Sequence, residues 1–408
     1  MMRLRSTWLA ALAGLVMLWT GAAPAEAPTA WLGSWAASQQ VPEERNALPE
    51  ADLTDATLRQ VVRLSTGGRS VRVLLSNAFG TEPLVIDAAH VALGTAGSAR
   101  IGHGQALTFD GSPRVTIPAG ASYWSDPVAI DVPPLSSLAV SIHLPAAPVR
   151  QTSHPGSRTT SYLVHGNHVS DPDLPGAKTV NHWYQLAAID VRGAGRAIVT
   201  LGDSITDGHG VRDNRDERWP DRLAERLQAN PRTRAVSVLN HGIGGNRLLL
   251  DGLGPNALAR FDRDVLAMSG VRYLIVLEGV NDLGLLTRDA PVSAEAHADL
   301  VRRLIGAYRQ IVARARSHGI KAIGATITPY GGSDYYHPDA ANEADRQAIN
   351  AWIRASGNFD AVIDFDAVLR DPRDPARMLP AYDSGDHLHP GPAGYKAMAD
   401  AIPLSLFR

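Results

Sequence analysis

Val199 to Gly208 reads VTLGDSITDG, an apolar run that halts at Gly202-Asp203-Ser204 and turns into a polar loop punctuated by glycine. A serine hydroxyl is a poor nucleophile until a base takes its proton, so Ser204 needs an imidazole within hydrogen-bond reach. Asp386-His387-Leu388-His389-Pro390 offers one. Three positions apart on a turn, Asp386 can reach Nδ1 of His389 and leave Nε2 free for the serine. Pro390 keeps His389 away from helical angles and Pro392 suits the first turn of the helix that follows, so the ring is expected at a helix entrance. His387, adjacent to the acid, points elsewhere and is read as solvated or supporting. Two further segments supply donors: the glycine-rich Gly242-Ile243-Gly244-Gly245-Asn246, and Asn281 in Gly279-Val280-Asn281-Asp282. A hydroxyl, an acid-imidazole pair, an exposed backbone and an amide are what acyl transfer through a serine requires, because the carbonyl oxygen gains charge that N–H groups must meet.

Other chemistries fit less well. Asp383, Asp386, His387 and His389 have the residue types of a zinc or calcium site, but a metal reading leaves Ser204 and the donors unexplained. GIGGN is not G-x-G-x-x-G and no G-x-x-x-x-G-K-[ST] occurs, which argues against nucleotide binding. Thr206 stands where the second glycine of a G-x-S-x-G elbow would be. Tyr330, Tyr335 and Tyr336, in TPYGGSDYYHP, are candidates for a substrate-facing wall on the same rim. Trp219 is read as packing.

Each of these segments follows a run that reads as a buried strand. AIVTLGDS, AVSVLNHGI, YLIVLEGVND, KAIGATITP and AVIDFDAVL are mostly continuous apolar runs. Helical patterns follow them, around RWPDRLAERLQA, ALARFDRDVLAM, AEAHADLVRRLIGAYRQIVARARSHG, NEADRQAINAWIRAS and PAGYKAMADAIPLSLF. The alternation predicts an α/β unit with a parallel five-stranded sheet covered on both faces, whose ligands bind beyond the carboxyl ends of the strands. From Trp31 to Asp190 the period is two instead, with Pro, Gly, Asp and Ser between short runs. That half predicts an all-β, jelly-roll-like sandwich, including a hairpin from Thr57 to Asn77 around a TGG turn. Its loops SNAFG and SHPGSRTTSY are read as ordinary loops in preference to cleft walls. The expected division is residues 30–191 for the sandwich and 196–408 for the α/β domain, joined at RGAGR.

Residues 1–25 are expected to be a signal peptide. Arg3 and Arg5 precede an apolar run from Leu9 to Trp19, and Ala23-Pro24-Ala25 has the small-residue pattern of a cleavage site. The run is too short to span a bilayer, so the expectation is a secreted or periplasmic protein with no stable membrane insertion. The 408 residues carry a formal net charge of −2, which excludes a field strong enough to recruit nucleic acid. With no cysteines, neither disulfides nor thiol chemistry are available.

GDSITDG, GIGGN, GVND and DHLHP, in that order and each at an expected strand end, resemble the sequence blocks of the SGNH (GDSL-type) hydrolase superfamily. The resemblance spans Ala197 to Arg408. It implies a flavodoxin-like three-layer α/β/α fold and an esterase, lipase, thioesterase or carbohydrate deacetylase that needs no cofactor and no metal. It also implies catalytic roles for Ser204, Asp386 and His389, and an oxyanion hole built from the N–H of Ser204, the N–H of Gly245 and the side-chain amide of Asn281. Gly242 and Gly244 lie in the same glycine run; the family spacing selects Gly245. The first half resembles, less specifically, the β-sandwich that precedes this domain in some secreted bacterial members. The expected partner is a small-molecule or polysaccharide ester; a lipase or phospholipase of the same superfamily, or a non-catalytic carbohydrate-binding protein, are the alternatives.

Overall fold

The computed structural model describes residues 30–408; the expected signal peptide lies outside them. Five strands, Arg196–Gly202, Val236–Gly242, Val271–Leu277, Lys321–Ala325 and Ala361–Ile363, form one parallel sheet. Numbered along the chain, their order in the sheet is second, first, third, fourth, fifth. In this doubly wound order the connections leave in opposite directions on either side of the first strand, which opens a crevice at the carboxyl ends of the first and third strands. Gly202 pairs with Gly242 on one side and Leu277 on the other, so the residues after these three strands emerge side by side. Ala197, Ile198, Val199 and Leu201 are all buried, as a strand covered on both faces must be.

Four of the expected helices are present. Trp219–Ala229 begins with Pro220 in its first turn, Ala294–Ser317 is capped by Ser293, Ala340–Arg354 by an Asp339/Asn342 capping box, and Pro392–Ala401 by Gly391 and Pro392. The fifth, over residues 257–268, is instead a π-helical turn at Asp262–Leu266. There Arg260 turns inward to carbonyls and carboxylates at the strand ends, and the wider π turn is the kind that accompanies such functional positions.

The first half forms antiparallel sheets, one four-stranded and one six-stranded. Here the expected hairpin is corrected. Ala56–Arg63 sits in the six-stranded sheet between Ser161–His165 and Ser137–Leu144, whereas Val71–Ser76 sits in the four-stranded sheet between Leu186–Arg192 and Ser122–Trp124. Gly68 bonds to Val132, and the TGG segment carries the chain from one sheet to the other. Polar residues on Ala56–Arg63 look solvent-facing in the sequence, yet Arg59 is fully buried and donates to Ser141 Oγ and to the carbonyls of Ala99 and Asp171. Non-local pairing of that covered strand outweighs the local turn signal.

The two halves share one hydrophobic core, in which Leu32, Trp35 and Val73 belong to the same cluster as Val199, Leu239 and Phe365. The chain passes between them through Gly193, Ala194 and Gly195. Gly33 N–H donates to Ser269 O at 3.0 Å and Val238 N–H to Ser65 Oγ at 3.0 Å. Trp219 is fully buried, packed beside Phe365.

Candidate active site

Ser204 opens the short helix Ser204–Asp207 directly beyond the first strand. Asp203 caps that helix by accepting the Ile205 N–H at 2.9 Å, and Gly208, in the left-handed conformation, ends it. Ser204 Oγ lies 2.8 Å from His389 Nε2, and His389 Nδ1 lies 2.6 Å from Asp386 Oδ2. A carboxylate can only accept, so Nδ1 carries the hydrogen and Nε2 is left to accept the serine's proton. The other oxygen of Asp386 accepts from Ser384 Oγ and from the N–H groups of Leu388 and His389 at 2.8–3.0 Å. Although its partial burial works the other way, the hydrogen bonds from the His389 ring and backbone hold the Asp386 carboxyl well below the usual carboxylate range. His387 pairs with Asp383 at 2.6 Å, away from Ser204.

Ser204, Gly245, Asn281, Asp386 and His389 all line one cleft of about 1020 Å³. Gly245 takes φ +72° and its side-chain direction is filled by Leu253, so only glycine fits there. Among the described residues, neither the Ser204 N–H nor the Gly245 N–H has a protein acceptor. Asn281 is buried, its Oδ1 accepting from the Tyr336 hydroxyl at 2.6 Å and its Nδ2 donating to Asn246 O at 2.7 Å. The second hydrogen on Nδ2 is uncommitted among these bonds. A proton-accepting chain to a hydroxyl, with unspent N–H groups beside it, can deprotonate an alcohol and receive an oxyanion.

Residues 200–397 match the GDSL-like Lipase/Acylhydrolase family. This part of the chain belongs to that family. The chain is therefore a carboxylic ester hydrolase. No curated protein matches it. Solved structures similar to the acylhydrolase domain include a protein described as lipolytic and of the G-D-S-L family from Desulfitobacterium hafniense, 24% identical over 51% of this chain and 97% of its own, at a TM-score of 0.38. An acetylxylan esterase from Geobacillus stearothermophilus, in a catalytic mutant, is 22% identical over 51% of this chain and 93% of its own, also at 0.38.

Around the acylhydrolase site are residues that the sequence did not single out. Arg260 is 1% exposed and donates to Gly202 O, His241 O, Asn246 Oδ1 and Ser38 Oγ. One guanidinium thus joins the ends of the first two strands to the donor loop. It also faces Asp264 at 3.1 Å and Glu278 at 3.3 Å. Burial raises Asp203 to about 7 and Asp282 to about 6, and with Asp203 beside it pushes Glu278 well above its ordinary value. Asp282 accepts the N–H groups of Leu248 and Leu249 at 2.9 and 3.1 Å, fixing the far end of the donor loop.

His209 packs against His389 with ring centroids 4.1 Å apart and planes tilted by 39°, and lies 3.9 Å from Asp386. Burial and the neighbouring His389 lower it to about 4, so it stays neutral beside the His389 ring. Together with Asp386 and His389 it forms a group of three side chains close enough to share a cation, a different set from the Asp383/His387 cluster visible in the sequence. Of the three tyrosines, Tyr335 and Tyr336 line the cleft, while Tyr330 is buried behind them. The SHPGSRTTSY loop is corrected from ordinary loop to cleft wall, since Pro155, Gly156 and Arg158 line the cleft. SNAFG does not line it: Asn77 closes a turn on the carbonyls of Glu82 and Ile117.

Proposed function

We propose that this ester hydrolase cleaves short acyl esters of polar alcohols, acetylated carbohydrate among them, by a two-step serine mechanism. Ser204 Oγ attacks the carbonyl carbon while His389 Nε2 takes the hydroxyl proton, and Asp386 holds the ring and stabilises the imidazolium. The negative charge on the carbonyl oxygen is met by the N–H groups of Ser204 and Gly245 and by the Asn281 amide. His389 then passes its proton to the leaving alcohol, giving an acyl-serine. Water, deprotonated by the same ring, attacks that ester, and the acid leaves as Ser204 regains its proton.

The observation that carries the reading is the Ser204–His389–Asp386 chain at 2.8 and 2.6 Å, with two unpaired N–H groups on the same cleft floor. Substrate class follows from the walls. Glu43, Arg45, Asn46, Arg158, His182 and Arg247 line the cleft, and only a few aliphatic residues, such as Leu253 and Leu285, do so. A hydroxylated alcohol finds donors and acceptors along these walls. The reading includes export, resting on the sequence of residues 1–25, and a jelly-roll-like sandwich over residues 30–191 preceding a hydrolase domain over 196–408.

Turnover of p-nitrophenyl acetate tests it. Ser204→Ala and His389→Ala should each lower kcat by about 10³-fold or more, and acyl-chain length beyond butyryl should lower kcat/KM. Wild-type turnover by Ser204→Ala would end the proposal.

A further inference from the structure

Besides Arg260, which bonds both Asn246 and Ser38, a buried carboxylate ties the donor loop of the hydrolase domain to the other half of the chain. Asp207, the last residue of the helix that Ser204 begins, is 3% exposed. Its Oδ2 accepts the Gly244 N–H at 3.2 Å, and its Oδ1 faces His154 Nε2 at 3.0 Å. His154 comes from the first half. Its Nδ1 donates to Ser38 O at 2.8 Å and its ring stacks on Trp183 with centroids 5.5 Å apart. Arg218 closes the arrangement by donating to Asp207 O at 2.9 Å and to Ser157 O. Burial alone would raise the Asp207 carboxyl, yet His154, Arg158 and Arg218 together hold it below the usual range. It is an anion held by three side chains, His154 and Arg158 from the first half and Arg218 from the second.

The site depends on this because Gly244 precedes Gly245. The Gly245 N–H belongs to the peptide between them, and its direction is set by where the Gly244 N–H is held and where Asn246 is held. Asn246 is fixed by its N–H to Ile243 O at 3.1 Å, by Asn281 and by Arg260. The Gly244 end has Asp207. A glycine pair has wide backbone freedom, so losing one tether lets the donor swing.

We propose that His154 is a positioning residue for the esterase: through Asp207 it holds the Gly244–Gly245 backbone so that the Gly245 N–H meets the carbonyl oxygen of the substrate. The proposal rests on the serine mechanism above and makes the first half of the chain a component of that site.

The test uses the full chain and p-nitrophenyl acetate, with thermal melting and the rate of Ser204 phosphorylation by diethyl p-nitrophenyl phosphate measured alongside. His154→Leu removes the donor to Asp207 and should lower kcat by about 10- to 100-fold, less than the loss of a whole oxyanion donor, with KM within about threefold and phosphorylation slowed in parallel. His154→Gln, whose amide can donate to Asp207, should restore kcat to within about threefold of wild type. Gly156→Ala reaches the same carboxylate from another side: a methyl there overlaps Asp207 Oδ2, while Gly156 itself lies outside the left-handed region. It should reproduce the kcat loss with His154 intact, and it decides the matter if His154→Leu does not fold. A folded His154→Leu or Gly156→Ala with wild-type kcat, or with a raised KM alone, overturns the proposal, as does His154→Gln no better than His154→Leu. Ser204→Ala, run in parallel, separates the two readings: full turnover there sinks the serine mechanism itself, whereas its loss beside an indifferent His154 sinks only the positioning role.

Discussion

The oxygen and nitrogen of an asparagine amide are nearly alike in shape, so partners alone decide which one faces a substrate. For Asn281 that partner is Tyr336, whose hydroxyl donates to Oδ1 at 2.6 Å and thereby turns Nδ2 to Asn246 O and the cleft. Burial pushes the Tyr336 phenol above its ordinary value, so it remains a donor at any working pH. Tyr336→Phe keeps the ring against Gly284 and removes only the tie. One hydrogen bond is worth about 1 kcal/mol, so kcat on p-nitrophenyl acetate should fall about fivefold with KM and melting temperature nearly unchanged; an unaltered kcat would show that the amide needs no such guide. Ser204, Gly245, Asn281, Asp386 and His389 were legible because each sits in a short block and the blocks occur in order at strand ends. Arg260 and His154 were not, and Tyr336 was marked only as a wall residue and not as a partner of Asn281, because what each does depends on a partner tens to hundreds of positions away.

At the level of strands and helices, the ends of the first and third strands carry a concentration of buried acid. Asp203 caps the nucleophile's helix, Glu278 follows the third strand, and Asp282 lies in the helix Val280–Thr287. Asp203 titrates at about 7 in the folded chain because it is buried, against about 3.9 in an unfolded one. Between these values the folded state holds a proton that the unfolded state has lost, so stability falls as pH rises through the window. Glu278 acts in the same direction. Asp386 and Asp264, both lowered, act in the opposite sense, and their contribution is lost only as pH falls below the ordinary carboxylate range. These raised acids therefore contribute a decline in melting temperature from about pH 4 to pH 7, set against the gain that His209 and His241, both lowered to about 4, contribute in the same window. Asp203→Asn, which keeps an oxygen for the Ile205 cap, should flatten that decline and gain more at pH 8 than at pH 4; an unchanged slope would remove Asp203 as its source. Five parallel strands and four helices were readable from period and caps. The Thr57–Asn77 hairpin and the 257–268 helix were not, for a related reason. In both places polar side chains that look solvated, Arg59 and Arg260, are buried and satisfied by distant carbonyls.

For the molecule as a whole, the composition shift at RGAGR is visible in the sequence, while the continuity of the core across it is not. Leu32 lies against Gly270, Gly33 against Leu239, and Arg72 reaches Asp190, which also accepts from Ser269 at 2.7 Å. Two independently folding parts would expose much of this apolar surface to water on separating. Calorimetry of the full chain should accordingly give one cooperative transition, with equal van't Hoff and calorimetric enthalpies; two resolved transitions would show that the halves are thermodynamically separate. The methyl groups of Leu239 occupy the space where Gly33 would carry a side chain, so the halves meet there in close contact. Both halves contribute walls to the cleft, Arg45 and Arg158 from one and Arg247 and Tyr335 from the other. Under the proposed function, replacing cleft-lining side chains from either half, such as Arg45, Arg158 and Tyr335, should alter which esters the enzyme accepts.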